Sequence, residues 1–268
     1  MFTIFLFSCS SQDSTPSTGF ISLHPSITET FYALGAEHLL KGRSDYCERP
    51  KAAQALPKFG TSLTPNFEML ASQNIAHIVG DNAITQHQEA LSQLGTVHSL
   101  PWLSVDDMKT SITTIGDMTD TADEATTLAN TVSDGLKPQP GKESVLLLLS
   151  GSVISKGQLW YIKPESIHGA VLEASGYRNA IPKGKNIPQM GIEELLSLDP
   201  AVVAIIGDSN TPLSEFDTKT EELKELTSLQ AVQSNKICTL SIENAYGTGP
   251  SVVKQVQVIQ EQLNQCLQ

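Results

Sequence analysis

From residue 19 onward, short apolar runs alternate with stretches in which apolar residues recur every three or four positions. Phe20-Ile21-Ser22-Leu23 predicts a strand, stopped by His24-Pro25. Ser26, three positions before Glu29, has the capping-box spacing and predicts a helix start; Phe31 and Leu34 continue that helix to a stop at Gly35. Ile75 to Val79, Val97 to Leu100 and Lys236 to Leu240 predict further strands. Val145 to Leu149 and Ala201 to Ile206 are unbroken apolar runs, as expected of strands covered on both faces by helices. Asp120 to Leu136 contains no Pro, and Leu128, Val132 and Leu136 put one apolar stripe on a mostly polar helix. Pro138, Pro140 and Gly141 end it. This alternation is an α/β pattern.

The two halves echo each other. Glu68-Met69-Leu70-Ala71-Ser72 precedes an apolar run ending Gly80-Asp81, and Glu193-Glu194-Leu195-Leu196-Ser197 precedes one ending Gly207-Asp208. The offsets are 193 − 68 = 125 and 207 − 80 = 127, so the later unit is two residues longer. A duplicated helix-plus-strand unit implies two pseudo-symmetric lobes with a ligand cleft between them.

Charge narrows the function classes. The 268 residues carry 17 Lys+Arg against 29 Asp+Glu, a net charge of −12, which argues against nucleic acid and against an anionic membrane surface. No apolar run reaches the roughly 18–20 residues of a spanning helix. Met1 to Phe7 is apolar, Ser8-Cys9 follows, and a Ser/Thr/Pro-rich tract runs to Thr18. Leu6-Phe7-Ser8-Cys9 resembles a bacterial lipobox, which implies lipidation of Cys9, a tether over 1–18 and attachment to a bacterial membrane through that anchor alone. An ordinary Cys near a ragged start is the plainer alternative. Of the remaining cysteines, Cys238 and Cys266 lie in the same half, and both a disulfide and two buried thiols suit them.

Catalytic signatures are missing: there is no P-loop, GxGxxG, GxSxG, HExxH or CxxC. The six His form no helical pair at metal-site spacing, and His77 reads as a core histidine. The segments at strand ends instead offer recognition surface, rich in aromatics suited to a large planar or amphipathic ligand. The candidate ligand-binding residues are Pro25, Ser26, Tyr46, Thr61, Ser62, Gly80, Asp81, Trp102, Trp160, Tyr161, Asn244 and Tyr246, with no catalytic residue and no protein-held metal or cofactor among the expectations.

Ile21-Ser22-Leu23-His24-Pro25-Ser26-Ile27-Thr28-Glu29, continuing to Ala33-Leu34-Gly35, resembles the opening of class III substrate-binding proteins of ABC importers. Gly42 to Pro50 is similar to their second-strand segment, above all in the cobalamin-binding branch. Asn66-Phe67-Glu68, Val171-Leu172-Glu173 with Gly176 and Asn179, and Pro188-Gln189 before Glu193 add to the likeness.

The resemblance implies two α/β lobes joined by one long rigid helix. The corresponding boundaries are 1–18 for signal and tether, 19–119 for the first lobe, 120–137 for the connecting helix and 138–268 for the second lobe. It also implies a periplasmic or cell-surface protein that moves little on binding, captures a metal chelate and delivers it to permease subunits. Tyr46 matches an aromatic that contacts the corrin in cobalamin binders, whereas Ser62 stands where some of them carry Trp, and Ala174-Ser175 where some carry a disulfide Cys. Glu68 and Glu193 match the surface carboxylates, one per lobe, that pair with permease arginines. Few Arg (Arg43, Arg49, Arg178) favour a corrinoid over an anionic siderophore, while Tyr46, Tyr161 and Tyr246 keep haem open. An α/β hydrolase with a triad assembled in space is the alternative from a different class.

Overall fold

The computed structural model describes residues 17–141 and 143–268. Its first sheet contains β1 (Ser17–Ser22), which leads into α1 (Pro25–Ala33), then β2 (Leu40–Gly42). After α2 (Phe67–Ala71) come β3 (Ile75–Gly80), α3 (Gln88–Leu91) and β4 (Thr96–Ser99). Two helices follow, α4 (Val105–Met118) and α5 (Ala122–Gly135), packed side by side. The second half contains β5 (Ser144–Leu149), β6 (Leu159–Trp160), α6 (Ile167–Ala174), β7 (Arg178–Asn179), β8 (Gln189–Met190) and α7 (Ile192–Leu198). It ends with β9 (Val202–Asp208), α8 (Leu213–Lys224), α9 (Gln230–Gln233), β10 (Ile237–Ile242) and α10 (Gln255–Cys266).

The first sheet runs β2-β1-β3-β4 and the second β7-β5-β9-β10, every pairing parallel. Counting strands within each sheet in chain order, both read 2-1-3-4. The repeat seen in the sequence is thus a repeat of topology. Leu70 of α2 and Leu195 of α7 hold the same place in it, and both are buried. The small antiparallel β6–β8 pair belongs to the second half alone.

One hydrophobic core runs through both lobes. It starts from Phe20, Phe31 and Ile112, passes Ala125, Ala129 and Val132 along one face of α5, and reaches Val145, Val171 and Ile259. Separate cores fill the outer side of each sheet, around Ile78 and Leu91 in the first lobe and around Leu148 and Ile205 in the second. The helix expected over 120–137 is α5. The preceding α4 escaped the sequence reading although it begins with a complete capping box, Ser104 Oγ accepting from Asp107 N and the Asp107 carboxylate accepting from Ser104 N.

Two other sequence expectations meet the structure differently. The capping box expected at Ser26 and Glu29 does not form: α1 starts at Pro25 with His24 as an uncapped N-cap. Pro lacks the N–H and has its φ set for a first turn, so the helix starts there. The two cysteines left open are joined, Cys238 on β10 to Cys266 at the end of α10. Cys9 and the expected tether up to residue 16 lie outside the described residues. Among those described, no helix is long and apolar enough to cross a membrane.

Candidate ligand cleft

In parallel sheets the strand ends and the helix starts meet along one edge, where backbone polar groups remain to be satisfied. In this chain the carboxyl ends of both sheets border one cleft. A cavity of about 190 Å³ lies between the lobes, lined from one side by Pro25, Ser26, Glu29, Tyr46, Glu48 and Arg49 and from the other by Asp208, Asn210, Asn244, Gly247, Thr248 and Gly249. A second cavity of about 390 Å³ shares Pro25 and Tyr46 and continues along the first lobe past His24, Ser44, Thr61, Ser62, Leu63 and Asp81. The second falls within the roughly 300–1,000 Å³ of small-molecule pockets and the first below it.

The residues read as a capping box serve the other lobe instead. Ser26 Oγ is 2.9 Å from Thr248 Oγ1, and Glu29 Oε1 accepts from Ser251 N at 2.7 Å. A Cβ at Gly249 would overlap the Glu29 carboxylate, so glycine permits that approach. Trp102 Nε1 donates to Thr248 O at 2.8 Å, and Arg49 Nη2 donates to Glu243 Oε1 at 2.6 Å. The loop from 243 to 251 is further held from within its own lobe: Asp208 Oδ2 accepts from Ala245 N, Gln255 Nε2 donates to Asn244 O, and the buried His168 ring lies against the backbone of Ala245 and Gly247.

The loop bearing Tyr46 is organised by Arg43. This side chain is 6% exposed and donates to the carbonyls of Ser44, Cys47, Gln54 and Leu56. The arrangement turns Tyr46 outward, 73% exposed, between the two cavities. Behind it the Cys47 thiol is buried against Thr28 Oγ1, and burial pushes its pKa up. Ser62 joins two strand ends, donating to Leu23 O and accepting from Asp81 N. His24 Nε2 lies 3.9 Å from Asp81 Oδ2, and burial holds the imidazole below its ordinary pKa despite that carboxylate.

Of the residues anticipated from sequence, Pro25, Ser26, Tyr46, Thr61, Ser62, Asp81 and Asn244 come together on the cleft. Five do not line it. Tyr161 is 2% exposed in the outer core of the second lobe, its hydroxyl accepting from Lys185 N. Trp102 is buried in the shared core and bears on the cleft from behind, holding Thr248 and packing its ring against that of His24. Trp160 sits on β6, its backbone tied to Ser152; Tyr246 turns its hydroxyl to Ser150 Oγ; and the backbone of Gly80 lies beneath Ser62 and Ile84. Each followed from proximity to a strand end, which does not tell which way a side chain faces. The reading missed Glu29, Glu48, Arg49, Asp208, Asn210 and Thr248 as lining residues. The Gly-Asp end common to both repeats was the available signal for Asp208.

His77 and His98, on neighbouring strands, face each other with Nδ1 and Nε2 3.1 Å apart, and His77 stacks on Phe20. His77 is thus satisfied, by a partner 21 residues away that helical spacing could not reveal, but it is half-buried rather than the core histidine expected. Among the described residues no group of three or more His, Cys, Asp or Glu is placed to hold a metal ion.

Comparison with known proteins agrees with this architecture. The family model described as periplasmic binding protein matches residues 21–242. The chain belongs to the periplasmic binding protein family. It is of the class III, bilobal kind, and members bind solutes outside the cytoplasm for ABC importers rather than transform them. The vitamin B12 binding protein BtuF of Vibrio cholerae superposes with a TM-score of 0.72 at 18% identity, covering 94% of this chain and 98% of its own. IsdE of S. aureus, complexed with heme, gives 0.69 at 20%, covering 91% and 98%. An ABC transporter substrate-binding protein of Listeria monocytogenes gives 0.69 at 20%, covering 89% and 96%. No curated protein matches by sequence.

Proposed function

We propose that this binding protein captures a metal chelate, with a corrinoid such as cobalamin the preferred class, and hands it to the permease of an ABC importer. The observation carrying this reading is the cleft between the two strand-end edges, with Tyr46 standing exposed where its two cavities meet. An exposed phenol ring over a preformed hollow suits the face of a large planar ligand. The arginines also favour a corrinoid over an anionic siderophore: Arg43 is occupied within its loop, Arg178 lies on β7, and Arg49, the one that lines the cleft, already meets Glu243.

Delivery rests on the repeat. Glu68 and Glu193 are exposed at the starts of α2 and α7, equivalent places in the two lobes, where they suit docking to arginines of two permease subunits. Lipid anchoring through Cys9 would keep the protein at the membrane carrying that permease.

Haem is the second reading, favoured by Tyr46 and His24 bordering the same cavity. Titration with cobinamide, cyanocobalamin, haemin and ferric siderophores, followed by tryptophan fluorescence and visible absorption, tests both. Binding of a corrinoid with Kd below about 10 μM, roughly −7 kcal/mol, supports the first reading. Failure of every chelate at that level removes chelate capture altogether.

A further inference from the structure

The cleft wall is acidic. Glu29, Glu48, Asp81 and Asp208 line its two cavities, and the lining cation, Arg49, is matched by Glu243 at 2.6 Å. Glu29 and Asp208 accept backbone N–H groups of Ser251, Asn210 and Ala245, which orients them.

A separate observation points the same way. His24 Nδ1 and Asp81 Oδ1 are buried and have no hydrogen-bond partner. Nearly all buried polar atoms are paired; of the four such orphans among the described residues, these two sit on neighbouring side chains of one cavity, where a ligand or an ordered water has two open partners. Their chemistry follows from their surroundings. Burial keeps the His24 ring neutral, and the Asp81 carboxylate, 3.9 Å from Nε2, favours the proton on that nitrogen. Nδ1 is then a bare acceptor, and Oδ1 of the carboxylate is an acceptor as well.

We infer that the cleft selects chelates that carry no net negative charge and present N–H donors, with Asp81 and His24 as the specificity-determining pair. This rests on the chelate-capture reading above and narrows its ligand class. A carboxamide or ammonium group of the ligand, met by a small rotation of either side chain, satisfies Oδ1 and Nδ1. A carboxylate or catecholate leaves both unpaired and adds like charge, so the same atoms that accept one class reject the other.

The test compares pairs of ligands that differ in charge, by one unit in the first pair and by two in the second. Cyanocobalamin is titrated against its monocarboxylic derivative, in which one side-chain carboxamide is hydrolysed. Ferrioxamine B, a cation with a free amine, is titrated against its N-succinyl form, an anion. The anionic member of whichever pair binds is expected to be weaker by about fivefold or more. Asp81→Asn should shrink that gap, and His24→Gln should weaken the neutral or cationic member. The exposed Glu48→Gln repeats the charge test without touching buried structure, and unchanged thermal melts establish folding for all three.

Equal affinity within a pair, a gap unchanged in both charge variants, or haemin or a ferric tricatecholate binding more tightly than every neutral and cationic probe would overturn the charge selection while leaving chelate capture standing. Absence of binding by every probe removes both.

Discussion

The two lobes share the strand order 2-1-3-4 and a buried Leu at the same place in the repeat, yet they meet the cleft by different means. The first lobe presents side chains: Tyr46, Thr61, Ser62, His24 and Asp81, on segments held by a buried Arg43 and by hydrogen bonds between strand ends. The second presents mainly a loop, 243–251, fixed by His168, Asp208 and Gln255 and bridged to the first lobe by Ser26, Glu29 and Trp102. It also carries the Cys238–Cys266 disulfide, whereas Cys47 of the first lobe is a free buried thiol. One topology can thus supply a recognition surface on one side and a stiff backing on the other.

The largest effect should come from breaking that backing. Cys238→Ser with Cys266→Ser opens a loop of 28 residues and should cost about 3–4 kcal/mol by the loop-entropy estimate. Urea unfolding with and without reductant checks this: the wild type should lose the same amount on reduction, the variant nothing further.

On the recognition side, Arg43→Met removes a donor from four carbonyls, two of them in buried hydrogen bonds, and should cost about 2–3 kcal/mol of stability. Ligand affinity should fall as well, because the Tyr46 loop loses its organiser. Full affinity in a destabilised Arg43→Met protein would separate loop order from recognition.

Tyr46→Ala should weaken chelate binding by about 1–3 kcal/mol with little change in melting temperature, since the ring is largely exposed in the free protein. An unchanged affinity would shift recognition toward the second lobe.

The smallest effect is acid sensitivity. Burial depresses the pKa of His24 and His98 in the first lobe and of His168 in the second. The folded state therefore binds fewer protons than the unfolded one, whose histidines titrate near 6.5. Stability is full above that pH, declines as pH falls through 6.5, and levels off below the depressed folded values. Urea midpoints measured from pH 7.5 to 5 should show the decline, and His98→Gln should reduce it. A midpoint that rises on acidification over this range would contradict neutral burial.

The sequence by itself determined the α/β class, the duplicated unit and most strands, because periodicity and continuous apolar runs report which faces must leave water. It placed the helix over 120–136 within two residues of α5. It also pointed to Tyr46, Asp81 and Asn244 through their positions after strands. Only the tertiary structure decided what those positions do. Ser26 and Glu29 have the spacing of a helix cap, but a partner more than 200 residues away takes both side chains, since Pro25 already starts the helix and the second lobe brings N–H and hydroxyl groups within reach. Tyr161 and Trp102 follow strands as Tyr46 does, yet sheet register and helix packing turn them inward. The cleft's charge was equally hidden: Glu29, Glu48, Asp81 and Asp208 are scattered over 180 positions of chain, and only the docking of two lobes gathers them around one cleft. Local sequence fixes which backbone forms, through short-range sterics and burial; which side chains share a cavity depends on contacts between distant segments, which one chain's local pattern does not encode.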